Sequence, residues 1–416
     1  MYCDKTVLDN GITVVSEHMD SVHSVALGFW VYAGARDEAP RFFGMSHFME
    51  HMLFKGTPTR SALDISTAFD AMGAELNAFT SRECTCFYSR VIDEHLTEAF
   101  EILADMVVNA SFDQDAIDLE REVVIEEIAR NEDSPDEYVY DLFADAMFPT
   151  HPLGRPVLGN RTTVGGFESA DMREYHDAHY TTGNLVVAAS GNVSHEQLVE
   201  LSKRFLSGMK TGTRQHRAFA AEQHRVQLSC LQKDTEQAHV LMGYPAFDTN
   251  DPRRFALGIL DTALGGGMSS RLFQEIREKR GLVYSVYTTT QLFEDAGVFA
   301  AYAGTRPDNV REVLDVMQKE FAFAAAKGIT QEELDRAREL ICGNFVFSME
   351  STRAHMTRLG RLFVLGLEVR SPEQTLEDYR CVTLQQVNEV AGDLLSQQPT
   401  VAVVSPHSQG DIERMI

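Results

Sequence analysis

At 416 residues, the chain is longer than one ordinary hydrophobic core supports, so it predicts two or more domains. Its 44% hydrophobic and 24% charged residues are typical of a globular protein and exclude a disordered one. The formal net charge of −25 argues against the basic surface that nucleic-acid binding requires, so we expect no nucleic-acid partner.

The N-terminus and the cysteines indicate the expected compartment. No charged segment followed by an apolar one begins the chain, and no run of about eighteen apolar residues occurs in it, so we expect no secretion signal and no membrane span. The six cysteines are scattered without framework spacing, at Cys3, Cys84, Cys86, Cys230, Cys342 and Cys381. We therefore expect a reducing, cytoplasmic location.

The first half of the chain alternates strand and helix patterns. Runs of strand-forming residues bounded by turn residues predict strands at residues 6–8, 12–15, 25–32, 74–80, 85–91 and 185–190. Apolar residues three and four apart predict helices at residues 61–72, 94–109 and 114–131. The last of these helices is strongly acidic, which usually indicates a solvated face.

Residues 44–54 place three chemically active side chains in an apolar helical pattern. His47 and His51 are four residues apart, so a helix puts both imidazoles on one face, where they can bind one metal ion. Glu50 borders the same site and suits a base acting on a metal-bound water. The spacing is H-x-x-E-H, the inverzincin signature, for which a packed pair of histidines is the ordinary alternative.

The second half repeats the order of the first. A polar stretch at residues 209–223 predicts a linker between two domains of roughly 200 residues, at 1–208 and 224–416. The matching elements are strands at residues 240–244 and 401–405 and helices at residues 254–264 and 332–349. The second half has no H-x-x-E-H, so only the first is expected to bind metal.

A hydrolytic zinc site needs three protein ligands and one open position. Over nearly its whole length the chain resembles the pitrilysin, insulysin and mitochondrial processing peptidase family of zinc metallopeptidases, above all its two-domain bacterial members. The resemblance implies an α+β fold with two homologous α/β-sandwich domains in a clam-shell arrangement. It also implies Glu127 as the third zinc ligand, with Glu120, seven residues earlier on the same helix, as a supporting acid.

Residues 73–80 resemble the family's edge strand, to which a peptide substrate adds as an extra strand. This implies Asn77, Ala78 and Phe79 as substrate-binding residues, with Asn77 contacting the substrate backbone. An ordinary half-buried strand is compatible with the same pattern.

The stretch Gly265-Gly266-Gly267 resembles the family's glycine-rich loop, and the absence of G-K-[ST] disfavours a nucleotide site. Arg277 and Tyr284 match the family's arginine–tyrosine pair, which binds the substrate carbonyl and stabilises the developing oxyanion. In members that carry four such domains on one chain, zinc lies in the first domain and the pair in the fourth. A two-domain chain reproduces this by pairing with a second copy, so we expect a homodimer with shared sites.

The resemblance therefore implies a zinc endopeptidase that hydrolyses extended or unfolded peptides within a chamber, with Glu50 as general base on zinc-bound water. One alternative is a non-catalytic scaffold such as the core proteins of the respiratory cytochrome complex, which lose residues that are all present here. Another is a processing subunit that needs a different partner chain. Glu168 and Asp171 are candidates for recognising a basic residue near the cut.

Overall fold

The computed structural model describes residues 3–214, 216–217 and 225–415. Its strands are β1 (Asp4–Val7), β2 (Thr13–His18), β3 (Ser24–Val31), β4 (Glu75–Thr80), β5 (Thr85–Ile92), β6 (Leu185–Gly191), β7 (Leu228–Gln232), β8 (Ala238–Ala246), β9 (Val283–Leu292), β10 (Gly297–Thr305) and β11 (Thr400–Ser405). The predicted strands of both halves are present, and each lies within a few residues of its expected position.

The helices also include those that the periodicity predicts. They are α1 (Met45–Leu53), α2 (Ala62–Ala71), α3 (Leu96–Asn109), α4 (Gln114–Asp133), α5 (Pro135–Met147), α6 (Arg161–Gly165), α7 (Ser169–His179), α8 (His195–Phe205), α9 (Arg254–Gly265), α10 (Val310–Lys327), α11 (Gln331–Ser348), α12 (Thr352–Val364), α13 (Pro372–Cys381), α14 (Leu384–Leu395) and α15 (Gln409–Glu413). Within the described part of the chain, none of them is both long enough and apolar enough to cross a membrane.

The chain forms two compact units that do not follow the predicted domain boundaries throughout. The first unit takes the described residues of Met1–Ala129, Arg155–Ala218 and Ser348–Val369, and the second takes those of Arg130–Gly154, Phe219–Phe347 and Arg370–Ile416. Each unit therefore includes a short segment from the other half of the sequence. Of the predicted linker, residues 215 and 218–223 lie outside the described residues.

The first unit contains a six-stranded sheet in the order β1-β2-β6-β3-β5-β4. Only β2 and β6 pair in parallel, and β4 lies at one edge of the sheet. Strand β3 is apolar on both faces, so the sheet must be covered on both sides. One face packs on α1 and α3, and the other packs on α12.

Helix α12 lies unusually close to the first sheet. Trp30 of β3 donates its indole N–H to the sulfur of Met356, at 3.4 Å. A Cβ atom added at Gly360 would lie 2.0 Å from Trp30 Nε1, so only glycine allows this approach. The apolar outer face of β3 therefore explains why a helix from the second half of the sequence belongs to the first unit.

The second unit repeats this plan with a five-stranded sheet in the order β7-β11-β8-β10-β9. Helices α9, α10 and α14 cover one face. Helix α5 covers the other, where Val139, Phe143 and Met147 pack with Leu241 and Ala402. Two α/β sandwiches are thus present, as predicted, and α5 and α12 account for the difference in boundaries.

Candidate metal centre

The start of α1 is fixed by a buried carboxyl group. Gly44 precedes the helix at φ +93°, a left-handed conformation that favours glycine. Its N–H and that of Ser46 donate to the two oxygens of Glu38, at 2.8 and 2.7 Å. Burial has the larger effect on the pKa of Glu38 and raises it to about 8, although the two N–H donors lower this pKa. The two oxygens of the Glu38 carboxyl group accept amides that the first helical turn leaves unpaired, and so anchor the helix.

Helix α1 buries one face and leaves its polar face directed away from the core. The buried residues are Met45, Ser46, Phe48, Met49, Met52 and Leu53. His47, Glu50 and His51 lie on the remaining face, where the histidine side chains are 14% and 18% exposed. The predicted H-x-x-E-H helix is therefore present, with its three polar side chains partly accessible to solvent.

Helix α4 brings two glutamates to the same place. Ile117, Val124 and Ile128 hold the helix against the core of the first unit. Glu120 is buried, whereas the Glu127 side chain is 41% exposed. A spacing of seven residues is close to two helical turns, so both carboxylates leave the helix on one face.

The side chains of His47, His51 and Glu127 converge on one point. Glu127 Oε2 lies 3.6 Å from His47 Nε2 and 3.5 Å from His51 Nε2, and the ligand atoms of all three residues lie within 4.8 Å of one another. A tetrahedral zinc ion with bonds of about 2.0–2.1 Å holds its ligand atoms about 3.4 Å apart. Among the described residues, this is the one such group that could hold a metal ion.

Glu120 orients one of the two histidines. His51 Nδ1 donates to Glu120 Oε1 at 2.7 Å, so Nε2 is the nitrogen that faces Glu127. Lys55 Nζ pairs with the other Glu120 oxygen. Burial alone would raise the pKa of Glu120, but these two partners outweigh it and hold the pKa low. A carboxylate bonded to a histidine in this way fixes the ring and its tautomer for metal binding.

The protonation of the two histidines also fits a cation. Burial lowers the pKa of His47 to about 4, so its imidazole is neutral near pH 7, which is the form that binds metal. Its Nδ1 is buried and has no hydrogen-bond partner among the residues that the structure describes. For His51, burial lowers the pKa, but Glu120, Glu127 and Glu50 outweigh it and the pKa is raised. This surplus of negative charge is what a divalent cation neutralises, and two imidazoles with one carboxylate are a donor set for zinc.

Glu50 lies beside these ligands and is held by one side chain of the edge strand. Thr80 donates its hydroxyl to Glu50 Oε2 at 2.6 Å. Burial raises the pKa of Glu50, while the Thr80 hydroxyl and the His51 imidazole lower it. A half-buried carboxylate next to the ligand group has the position that a general base requires.

Sequence comparisons relate the chain to one family of peptidases. The family model described as Insulinase (Peptidase family M16) matches residues 13–161, and the one described as Peptidase M16 inactive domain matches residues 166–341. An uncharacterized zinc protease of Streptomyces coelicolor is 42% identical over 99% of this chain and 91% of its own length. One from Bacillus subtilis is 38% identical over 95% of this chain and 97% of its own.

The chain belongs to peptidase family M16. The resemblance found from the sequence motifs is therefore confirmed.

Solved structures show that the fold is that of two-domain M16 proteins. A peptidase M16 inactive domain from Pseudomonas fluorescens superposes with a TM-score of 0.92 at 20% identity, covering 98% of this chain and 99% of that one. A protease from Helicobacter pylori gives a TM-score of 0.87 at 22% identity, covering 97% and 99%. The predicted α+β class is confirmed, and the inactive-domain model falls on the part of the M16 chain that lacks H-x-x-E-H.

The predicted substrate strand of the M16 chain is β4. Asn77 is exposed, and its Oδ1 accepts the N–H of Ala78 at 2.8 Å. The Ala78 amide therefore does not pair with β5 and points to the open edge of the sheet. Phe79 points away from the metal centre's side of the sheet, because its ring packs edge-on against Trp30, with centroids 5.4 Å apart.

Arg277 and Tyr284 lie together in the second unit. Arg277 is in a short π-helical segment, Phe273–Glu278, and Tyr284 is near the start of β9. The Arg277 guanidinium lies 5.4 Å from the centroid of the Tyr284 ring, which is 81% exposed. The zinc-ligand candidates and this predicted pair therefore belong to different units of the chain.

Glu168 and Asp171, the candidates for recognising a basic residue, lie at the start of α7. Asp171 accepts the backbone N–H of Glu168 at 3.0 Å, so its carboxylate caps the start of α7. Sequence reasoning missed two residues of the centre, Lys55 and Thr80. Lys55 follows His51 by four residues, a weak signal that it lies nearby, whereas nothing in the sequence marks Thr80 as the partner of Glu50.

Proposed function

We propose that this M16 chain is a zinc-dependent endopeptidase that hydrolyses extended or unfolded peptides. Relatives that match nearly its whole length carry the name zinc protease. The observation that supports the proposal most strongly is the convergence of His47, His51 and Glu127 at separations that suit a tetrahedral zinc ion.

Nε2 of both histidines and Oε2 of Glu127 would hold the ion, and Glu120 would keep the His51 ring in place through Nδ1. Zinc, when bound at such a site, makes water more acidic and polarises a carbonyl group. Glu50 then acts through its second oxygen, Oε1, because Oε2 is engaged by Thr80. Oε1 accepts a proton from the attacking water and passes it to the leaving amine nitrogen as the peptide C–N bond breaks.

The peptide would bind by adding to β4 as a further strand. The Ala78 N–H points to the open edge, where the Asn77 side chain accepts it in the free protein. A substrate carbonyl can replace the Asn77 oxygen, which frees the Asn77 amide to contact the peptide backbone. Pairing through the backbone is tolerant of sequence and requires an extended substrate.

Arg277 and Tyr284 of one copy of the chain would bind the carbonyl group of a substrate held at the metal centre of a second copy. Both offer donors for a developing oxyanion, and the exposed Tyr284 is free to reach a ligand. The proposal is a homodimer in which each site combines the metal centre of one copy with the pair of the other.

A matched pair of glutamates on α4 tests the metal ligands. Glu127→Ala removes one of three ligands, so we expect the zinc content to fall from about one per chain to near zero and peptidase activity to fall with it. The neighbouring Glu126 is exposed, so Glu126→Ala should keep both zinc and activity. Zinc content is measured by mass spectrometry on protein purified without added metal. Equal zinc content in the two variants would contradict the ligand assignment.

Substrate conformation gives a second expected result. Because strand addition needs an extended backbone, a reduced and alkylated small protein should be cut at least roughly tenfold faster than its native form. The rates are compared at equal concentration by mass spectrometry of the fragments, with Glu50→Gln protein as the control for contaminating proteases. Equal rates on both forms would contradict binding by strand addition.

A non-catalytic role is the second candidate, because the structural neighbour from Pseudomonas fluorescens is named for an inactive domain. Against it, His47, Glu50, His51 and Glu127 are all present in this chain. Zinc bound at full occupancy with no hydrolysis of any peptide in a random library would favour that role.

A further inference from the structure

The side chain that holds Glu50 belongs to the strand on which the substrate would lie. Thr80 is the last residue of β4, opposite Thr85 in the pairing with β5. Its hydroxyl is 2.6 Å from Glu50 Oε2 and 3.4 Å from the carbonyl oxygen of Ser46. A hydroxyl has one proton to donate, and the shorter contact to a carboxylate is the stronger.

The backbone at Thr80 is firmly placed. The hairpin that follows is closed by the Ser81 N–H donating to the Cys84 carbonyl at 2.9 Å. The Ser81 carbonyl in turn accepts the N–H of Ala35 at 3.1 Å. Threonine is β-branched, so few rotamers are open to it, and a fixed backbone therefore fixes the hydroxyl.

The direction of the backbone groups along β4 places Thr80 on the open edge. In a strand, the N–H and C=O of one residue point to the same side, and successive residues alternate. The Ser81 N–H pairs across the hairpin, and the Ala78 N–H points outward to Asn77. Thr80, two residues after Ala78, therefore also presents its backbone to the open edge while its side chain contacts Glu50.

We propose that Thr80 is a positioning residue that fixes the base relative to the bound peptide. Its backbone would pair with the substrate strand, and its hydroxyl holds the Glu50 carboxylate at a set distance from that strand. Glutamate has three rotatable side-chain bonds, so without this bond the carboxylate loses the orientation that proton transfer needs. The inference rests on the proposed function of Glu50.

The test compares three variants of the zinc-loaded protein on an extended fluorogenic peptide. Thr80→Val removes the hydroxyl but keeps the shape, and should lower kcat roughly 10- to 100-fold with KM changed less than about threefold. Thr80→Ser keeps the hydroxyl and should recover most of kcat. Thr85→Val is the matched control, because Thr85 lies opposite in the same pair and donates to the Ala33 carbonyl at 2.9 Å. It should lower Tm without lowering kcat of the folded protein.

Two measurements separate positioning from a structural effect. Thr80→Val should keep about one zinc per chain, and in the inactive Glu50→Gln background it should leave peptide affinity unchanged by fluorescence anisotropy. Wild-type kcat in Thr80→Val, with Glu50→Gln inactive, overturns the inference and leaves the proposed function standing. Loss of zinc or of peptide affinity in Thr80→Val also overturns it. Wild-type activity in Glu50→Gln instead refutes the proposed function.

Discussion

Glu50→Gln should keep about one zinc per chain and lower kcat by about 10²- to 10⁴-fold, which is the range that a positioned general base contributes. The amide has nearly the same shape as the carboxylate and can still accept the Thr80 hydroxyl bond, but it cannot take a proton from water. The proposed metal ligands, on His47, His51 and Glu127, are not altered. Metal analysis and peptide hydrolysis on the same preparation measure both quantities.

The control for this variant is Glu122→Gln, an identical change at an exposed position of α4, which should match wild type. Retention of wild-type kcat by Glu50→Gln would show that Glu50 is not the base. If wild type and variant both hold zinc and neither cuts a peptide, the non-catalytic role gains support.

The candidate metal centre was the most predictable part of the molecule, because helix geometry sets which of its residues share a face. His47 and His51 had to share a face once α1 formed, and the same holds for Glu120 and Glu127 on α4. The helical periodicity did not predict that α1 and α4 lie next to each other. That expectation came from the family resemblance, and the separations of 3.5 and 3.6 Å between the histidine nitrogens and Glu127 agree with it.

The contacts of Glu50 and Glu120 could not be predicted from the sequence. Thr80 lies thirty residues from Glu50 along the chain, and its hydroxyl reaches the carboxylate because β4 packs against α1. Lys55 pairs with Glu120, which lies 65 residues further along the chain. Contacts of this kind depend on side-chain directions in the folded protein and leave no periodic pattern.

The unit boundaries were hard to predict for a different reason. The sequence shows that β3 is apolar on both faces, and hence that two layers must cover it, but not which helix supplies the second layer. Trp30, Met356 and Gly360 form that contact through an approach that needs glycine. The sequence pattern around α12 assigns this helix to the second half of the chain. Its packing assigns it to the first unit.

The proposed oxyanion-binding role of Arg277 and Tyr284 raises the question of which copy of the chain supplies the pair to a given site. Arg277 and Tyr284 lie together in the second unit, and the metal-ligand group lies in the first. The proposed homodimer joins the metal centre of one copy to the pair of the other. Two variants that are inactive for different reasons can test this, because a shared site allows each to supply what the other lacks.

Mixing Glu50→Gln with the double variant Arg277→Ala, Tyr284→Phe should restore about a quarter of wild-type activity after the subunits exchange. Random exchange makes half of the dimers mixed, and in each mixed dimer one of two sites combines an intact base with an intact pair. Exchange is confirmed independently by native mass spectrometry of differently tagged chains, and each variant incubated alone is the control. If the pair acts within its own chain, every site keeps one defect and the mixture stays inactive. A mixture that remains inactive after confirmed exchange would therefore contradict the shared site.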